Sequence, residues 1–146
     1  MLGSQSEQLD VIFDTSSDYL VVEGAKCESC LGNKFDTSQS STVKKVGQDT
    51  SERRYNQVVV TGTEWSDRVC LAETTCIDEF EFFLVETQSF LKEPIDGFLG
   101  LARDEPFLTG ELQSTTFKRG PSFVRALRQA GLIAQNTFSL YLSPVD

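Results

Sequence analysis

No histidine occurs in the 146 residues, which closes the Ser/His/Asp and Cys/His routes to a nucleophile and every His-ligated metal site. Acid and base chemistry must then rest on the 22 Asp and Glu side chains. Asp14 differs from the others in its setting. It opens the polar run Asp14-Thr15-Ser16-Ser17-Asp18, with Leu9-Asp10-Val11-Ile12-Phe13 before it and Tyr19-Leu20-Val21-Val22 after it. Two apolar segments of strand length around five polar residues predict a turn buried between two β-strands. Asp-Thr-Ser recurs at Asp36 and Asp49, but without apolar segments on both sides. For those two an ordinary Asx turn is the expectation.

The four cysteines fall into two local pairs, Cys27 with Cys30 and Cys70 with Cys76. The spacing favours two disulfides. A four-thiolate zinc site is the competing reading, although the second pair lacks the short spacing of most structural sites and neither pair has the usual turn glycines. Disulfides imply an oxidising route: secretion, or delivery to a lysosome or vacuole. A net charge of −9 argues against nucleic acid and against an anionic membrane surface. No run of 18 apolar residues is present, so no membrane span is expected, and Met1-Leu2-Gly3-Ser4-Gln5 lacks the regions of a signal peptide. Nothing in the sequence calls for a metal or a cofactor.

Short strands must position these residues. Lys34 to Ser51 is polar and reads as a surface loop, Val58-Val59-Val60 and Arg68 to Leu71 as a hairpin or sharply bent strand pair near Gly62, and Phe80 to Val85 as an aromatic-rich strand. Ile95 to Leu101 is a strand broken by Gly97 and Gly100, a pattern expected where backbone passes close to backbone. Asp104 to Gly120 reads as loop. The best helix is Pro121 to Ala130, with Phe123, Val124, Leu127 and Ala130 on one face and Gly131 at its C-cap. Phe138 to Leu142 alternates as a last strand. The expectation is a single all-β domain, β-rich with one or two short helices.

Val11-Ile12-Phe13-Asp14-Thr15-Ser16-Ser17 resembles the catalytic turn of the pepsin-like aspartic peptidases, in which an apolar strand runs into Asp-Thr-Gly-Ser. Lys34 to Thr42 is similar to their Phe-Asn-Pro-x-x-Ser-Ser-Thr stretch, and Asp96-Gly97-Phe98-Leu99-Gly100-Leu101 to their Asp-Gly-Ile-Leu-Gly-Leu segment. Gln129 to Ile133 followed by Phe138 to Ser143 is similar to the helix and strand that close the first lobe. The resemblance implies that residues 1–146 form the N-terminal lobe of the pepsin-like acid-protease fold, with the C-terminal lobe absent from this chain.

In that family two aspartates from two lobes share one proton, because two close carboxylates cannot both ionise. The resemblance makes Asp14 one of them. It gives Thr15 the role of locking the two catalytic turns together, Ser17 that of hydrogen-bonding the aspartate from outside, and Tyr55 that of the flap tyrosine. Phe13, Tyr55, Gln57 and Phe90 would border the substrate pockets, with core packing as the plainer reading for Phe13 and Phe90. Ser16, Asp96, Gly97 and Gly100 are structural. The implied partners are a peptide or protein substrate and a second lobe, or a second copy of the chain. Three departures weigh against efficient catalysis. Ser16 replaces a glycine that lets backbone approach the carboxylate. Asn56-Gln57-Val58-Val59 replaces a glycine-bearing flap tip, and Val21 a tryptophan that packs on the flap tyrosine. A non-catalytic structural or peptide-binding lobe is therefore the alternative function.

Overall fold

The computed structural model describes residues 1–55, 57–89, 91–102 and 120–143. Among them, seven strands form one mixed sheet: β1 (Val11–Asp14), β2 (Leu20–Glu23), β3 (Lys44–Lys45), β4 (Ser51–Tyr55), β5 (Val58–Ala72), β6 (Thr75–Ser89) and β7 (Gly97–Gly100). The strand order is β1-β7-β2-β6-β5-β3, with β4 pairing on β5. One helix, α1 (Phe123–Gln129), packs against β6.

The near-continuous apolar runs follow from burial on both faces of the sheet. Along β6, Phe80, Phe82 and Leu84 enter one core while Phe83 and Val85 enter the other. Along β2, Leu20 and Val22 join the first core and Val21 the second, together with the preceding Tyr19. The first core is closed by α1, where Phe123 sits edge-on to Phe80 with ring centroids 5.2 Å apart. The second lies beneath the β4–β5 hairpin, with Tyr55, Val58 and Phe98 packed against it.

The central crossing positions Asp14. Strand β7 runs parallel to β1 and antiparallel to β2, so it fills the gap between the strand that enters the Asp14 turn and the strand that leaves it. Asp14 pairs with Gly100 and Phe13 with Leu99. The end of β7 also holds the turn through three backbone bonds: Gly100 N–H to Tyr19 O, Leu101 N–H to Asp14 O and Ala102 N–H to Ser17 O, at 2.8, 2.8 and 2.9 Å.

Several elements differ from the sequence reading. Of the two readings near Gly62, the hairpin does not form and a bend within a strand does. Strand β5 runs on through it with a bulge between Thr61 and Gly62, and the turns lie instead between Tyr55 and Val58 and between Ala72 and Thr75. A Cβ at Gly62 would stand 2.0 Å from the Leu84 carbonyl oxygen, which is why the bend needs glycine. The polar stretch from Lys34 to Ser51 contains a 3-10 turn, Thr37–Gln39, and the short β3, and it delivers the first residue of β4. Helix α1 begins after Ser122, whose hydroxyl accepts the Arg125 N–H, so a cap and not Pro121 sets its start. Gly131, at φ +72°, lets the N–H groups of Gly131 and Leu132 reach back to Arg128 and Leu127 and end the helix. Within the helix face Phe123 and Leu127 are buried, while Ala130 is the exposed C-cap.

Phe138 to Leu142 forms no strand, and Tyr141 is 87% exposed. Alternation marks the face that a strand would bury, but a strand also needs a partner ladder, and this segment pairs with none of the described residues. The loop expected over Asp104 to Gly120 lies outside the described residues apart from Gly120.

Candidate active site

Asp-Thr-Ser builds the same local turn twice. Asp14 Oδ1 accepts the Ser16 N–H at 2.9 Å, and Asp36 Oδ1 accepts the Ser38 N–H at 2.9 Å. The second copy caps the short Thr37–Gln39 turn at the surface. The first stands between three strands, and the Ser16 hydroxyl donates a further bond to Asp14 Oδ1 at 2.6 Å. Ser16 has no positive φ, so the side chain in the glycine's place brings no left-handed strain, and the backbone N–H still reaches the carboxylate. Burial raises the Asp14 pKa, but hydrogen bonds from the Ser16 hydroxyl, the Ser16 N–H and the Ser17 hydroxyl outweigh it, and the net direction is downward. The carboxylate therefore stays ionised further into acid than an ordinary Asp. Ser17 is buried, and its hydroxyl makes no bond of good geometry among the described residues; it acts on Asp14 more weakly than Ser16. Thr15 is exposed.

The β4–β5 hairpin brings Tyr55 to the same side of the sheet. Its ring stacks on Phe98 of β7, with centroids 6.0 Å apart and planes 22° from parallel. Phe98 is also the cross-strand partner of Val21. A small residue on β2 and a large one on β7 thus divide the space beneath Tyr55 in this chain. Burial pushes the Tyr55 pKa up to about 12; the Arg53 charge pulls it down, and the charges of Asp18 and Asp14 push it up. Gln57 is exposed beside the turn. Asn56 and Phe90 lie outside the described residues.

Phe13 faces away from this hairpin. It pairs with Leu99 and lines, with Leu20, Leu99 and Phe123, an apolar groove of about 290 Å³ on the other face of β1. Side chains alternate along a strand, so the residue that shares the face of Asp14 is Ile12, the partner of Phe98, which is 47% exposed. The sequence reading missed Ile12, which the two-residue period of a strand counted back from Asp14 would have found.

Asp96 is buried and fully engaged, accepting the N–H groups of Asp10 and Asn33 at 2.6 Å each. It ties the entry to β1 to the loop after the first cysteine pair. Gly97 and Gly100 lie against backbone: an added Cβ would stand 2.0 Å from Val21 O and 2.6 Å from Tyr19 N, respectively. The cysteines pair as Cys27–Cys30 and Cys70–Cys76, the latter joining register partners on β5 and β6. Closed disulfides displace the zinc reading and accord with an oxidising secretory, lysosomal or vacuolar route.

A second buried carboxylate carries a pH dependence. Glu23, 3% exposed at the end of β2, accepts the Gly32 N–H on Oε2 at 2.8 Å, while Oε1 has no hydrogen-bond partner among the described residues. Burial raises its pKa; the N–H groups of Gly32 and Leu31 and the charge of Lys34 pull it down, Asp96 pushes it up, and the net is upward. Glu7 is raised too, by burial first and then by Asp36 and Asp96. A carboxylate raised in the fold holds its proton more tightly there than in the unfolded chain. The stability it adds is complete below its ordinary value of 4.5 and is lost as pH rises through the folded value. Glu23→Gln keeps the acceptor for Gly32 and carries no charge. It is expected to match the wild type near pH 4 and to exceed it at pH 7, by about 2–4 °C in Tm for each kcal/mol recovered. Thermal denaturation at the two pH values reads this, and an equal change at both would remove Glu23 from the account.

The structure thus sets Asp14, hydrogen-bonded by Ser16, at the crossing of β1 and β7, on a sheet whose β4–β5 hairpin carries Tyr55. The profile of the eukaryotic aspartyl proteases matches residues 1–146, and the chain belongs to that family, as a pepsin-like N-terminal lobe. It is 35% identical over 151 residues to pepsin A of Rhinolophus ferrumequinum, covering 99% of this chain and 36% of that protein. It is 32% identical to embryonic pepsinogen of Gallus gallus, covering 97% of this chain and 36% of that protein. Vacuolar protease A of Neurospora crassa is 29% identical over 99% of this chain and 35% of its own length. The chain thus spans about a third of the curated relatives it matches. Among the described residues, no helix is long and apolar enough to cross a membrane.

Proposed function

We propose that this lobe supplies one aspartate of an acid endopeptidase, completed by a second Asp-bearing lobe or by a second copy of the chain. The observation that carries this reading is Asp14 itself, whose carboxylate accepts two bonds from Ser16 that favour its ionised form, on the strand that ends the sheet among the described residues. Ionised, it takes a proton from a water that attacks the scissile carbonyl, while the protonated partner aspartate polarises the carbonyl oxygen; the pair titrates as a unit. Ile12 and Phe13 leave apolar surface exposed on both faces of β1 beside this carboxylate. Strand edges and apolar patches of this kind are covered in a working assembly. An extended peptide would lie as a strand beneath the hairpin.

A non-catalytic lobe is favoured by the sequence Asn56-Gln57-Val58-Val59, which has no glycine. It loses its argument at Ser16, where the bond from backbone to carboxylate is kept. The test is hydrolysis of a quenched fluorescent peptide library at pH 3 to 6 over a range of protein concentration, with native mass measured in parallel. A rate rising with the square of concentration assigns the second aspartate to another copy. A linear rate assigns it to a lobe already joined or bound to this one, which the mass identifies. Absence of cleavage and of peptide binding in the native assembly would leave only the non-catalytic reading.

A further inference from the structure

Arg53 lies on β4, two residues before Tyr55, and is only 8% exposed. Burying a guanidinium is costly unless charge and hydrogen bonds meet it. Here Nη2 stands 3.1 Å from Glu64 Oε1 on β5. The guanidinium carbon lies 3.9 Å from the ring centroid of Tyr19 and 4.9 Å from that of Phe83, two rings set edge to face. The Tyr19 hydroxyl donates to the same Glu64 Oε1 at 3.0 Å, and Tyr19 is wholly buried. Three pieces of chain meet at this point: the outer strand of the hairpin, its inner strand beyond the bulge, and the residue that follows the Asp14–Asp18 turn.

We infer that Arg53 is a positioning residue, which fastens the β4–β5 hairpin to the chain leaving the Asp14 turn and so fixes where Tyr55 stands relative to the carboxylate. One carboxylate oxygen of Glu64 serves both Arg53 and Tyr19. Lifting the hairpin therefore breaks the Tyr19 hydroxyl's bond to the Glu64 carboxylate and uncovers two aromatic faces together. Burial strengthens the arrangement, because little water is at hand to replace the lost partners. A planar guanidinium can lie over a ring face while bonding a carboxylate in its own plane, and a lysine ammonium cannot do both. The hairpin is tied at its outer end by these lateral contacts and by the Tyr55–Phe98 stack. The fastening stands on geometry alone; its consequence for peptide binding rests on the function proposed above.

Hydrogen exchange by mass spectrometry on the protein in its native assembly tests this, comparing wild type with Arg53→Met, Arg53→Lys and Tyr19→Phe. Methionine keeps an apolar stem of similar length and removes the charge. Exchange across the turn between Tyr55 and Val58 is expected to rise about tenfold or more in Arg53→Met, less in Tyr19→Phe, with only partial recovery in Arg53→Lys and no change in α1. Affinity for a peptide bearing a hydroxyethylene group at the scissile position should fall about tenfold, chiefly through faster dissociation. Uniform acceleration in every element would make Arg53 a general core support and overturn the proposal, as would an unchanged hairpin. If Arg53→Met does not fold, Tyr19→Phe, which deletes one hydroxyl, reads the same fastening. A loosened hairpin in a protein that binds no peptide supports the fastening and removes only the peptidase reading.

Discussion

Asp14→Asn is expected to lower the rate of peptide hydrolysis by roughly 10²–10⁴-fold, the usual worth of a positioned general base. The fold should survive the change. An asparagine oxygen can still accept the N–H and hydroxyl of Ser16, so the turn keeps both local bonds. What disappears is the ionisable group and its depressed pKa. A group lowered in the fold adds stability above its ordinary value of 3.8, and that stability is lost as pH falls through the folded value. The variant should therefore be slightly less stable than wild type at pH 6 and equal to it below the range in which Asp14 titrates. Ser16→Gly separates the two hydrogen bonds. It retains the N–H contact and deletes the hydroxyl contact, so the acid limb of the pH–rate profile should move to higher pH with little loss at the optimum. Full activity in Asp14→Asn would place the base elsewhere.

How much of this was open to a reader of the sequence depended on whether the property was local. The Asx geometry of Asp14 is local, and it recurs at Asp36 but not at Asp49, where Ser51 already opens β4. What separates the two copies is topology. The apolar segments around Asp14 announced strands, and the glycines of β7 announced a close crossing, so the fold class and the central crossing could be read. The closed disulfides followed from pairs near in sequence. The face of Phe13 could not be read from composition, because β1 is apolar at Val11, Ile12 and Phe13 in turn; only the register with Leu99 assigns it. The buried Arg53 looked like surface for a related reason. Arg53-Arg54 reads as a charged pair, yet Arg54 is exposed and Arg53 points inward on the face it shares with Tyr55. Phe138 to Leu142 misled in the opposite sense, since its alternation says which side a strand would bury and nothing about what it pairs with.

Gly97→Ala is expected to be among the most damaging single changes to the fold. Strand β7 is held from both sides at this residue: Gly97 pairs with Val11 on the parallel neighbour and with Val22 on the antiparallel one. An added Cβ would lie 2.0 Å from the Val21 carbonyl oxygen, 3.0 Å from its carbon and 3.2 Å from the Val22 Cα. All three are backbone atoms, so no side chain can swing aside, and relief requires two paired strands to part. Roughly 3 kcal/mol or more of destabilisation follows, or about 6–12 °C in Tm for a chain of this size. Two other glycines calibrate the result. At Gly47 a Cβ meets nothing closer than 3.6 Å, and alanine there should be neutral. At Gly131 the space is open but φ is +72°, so alanine should cost only about 1 kcal/mol in backbone strain. Urea denaturation of the three variants ranks them. If Gly97→Ala fell within the cost of Gly131→Ala, the crossing would be looser than its geometry implies. The bonds from Gly100, Leu101 and Ala102 could then not be what holds the Asp14 turn, and its placement would have to come from the strands alone.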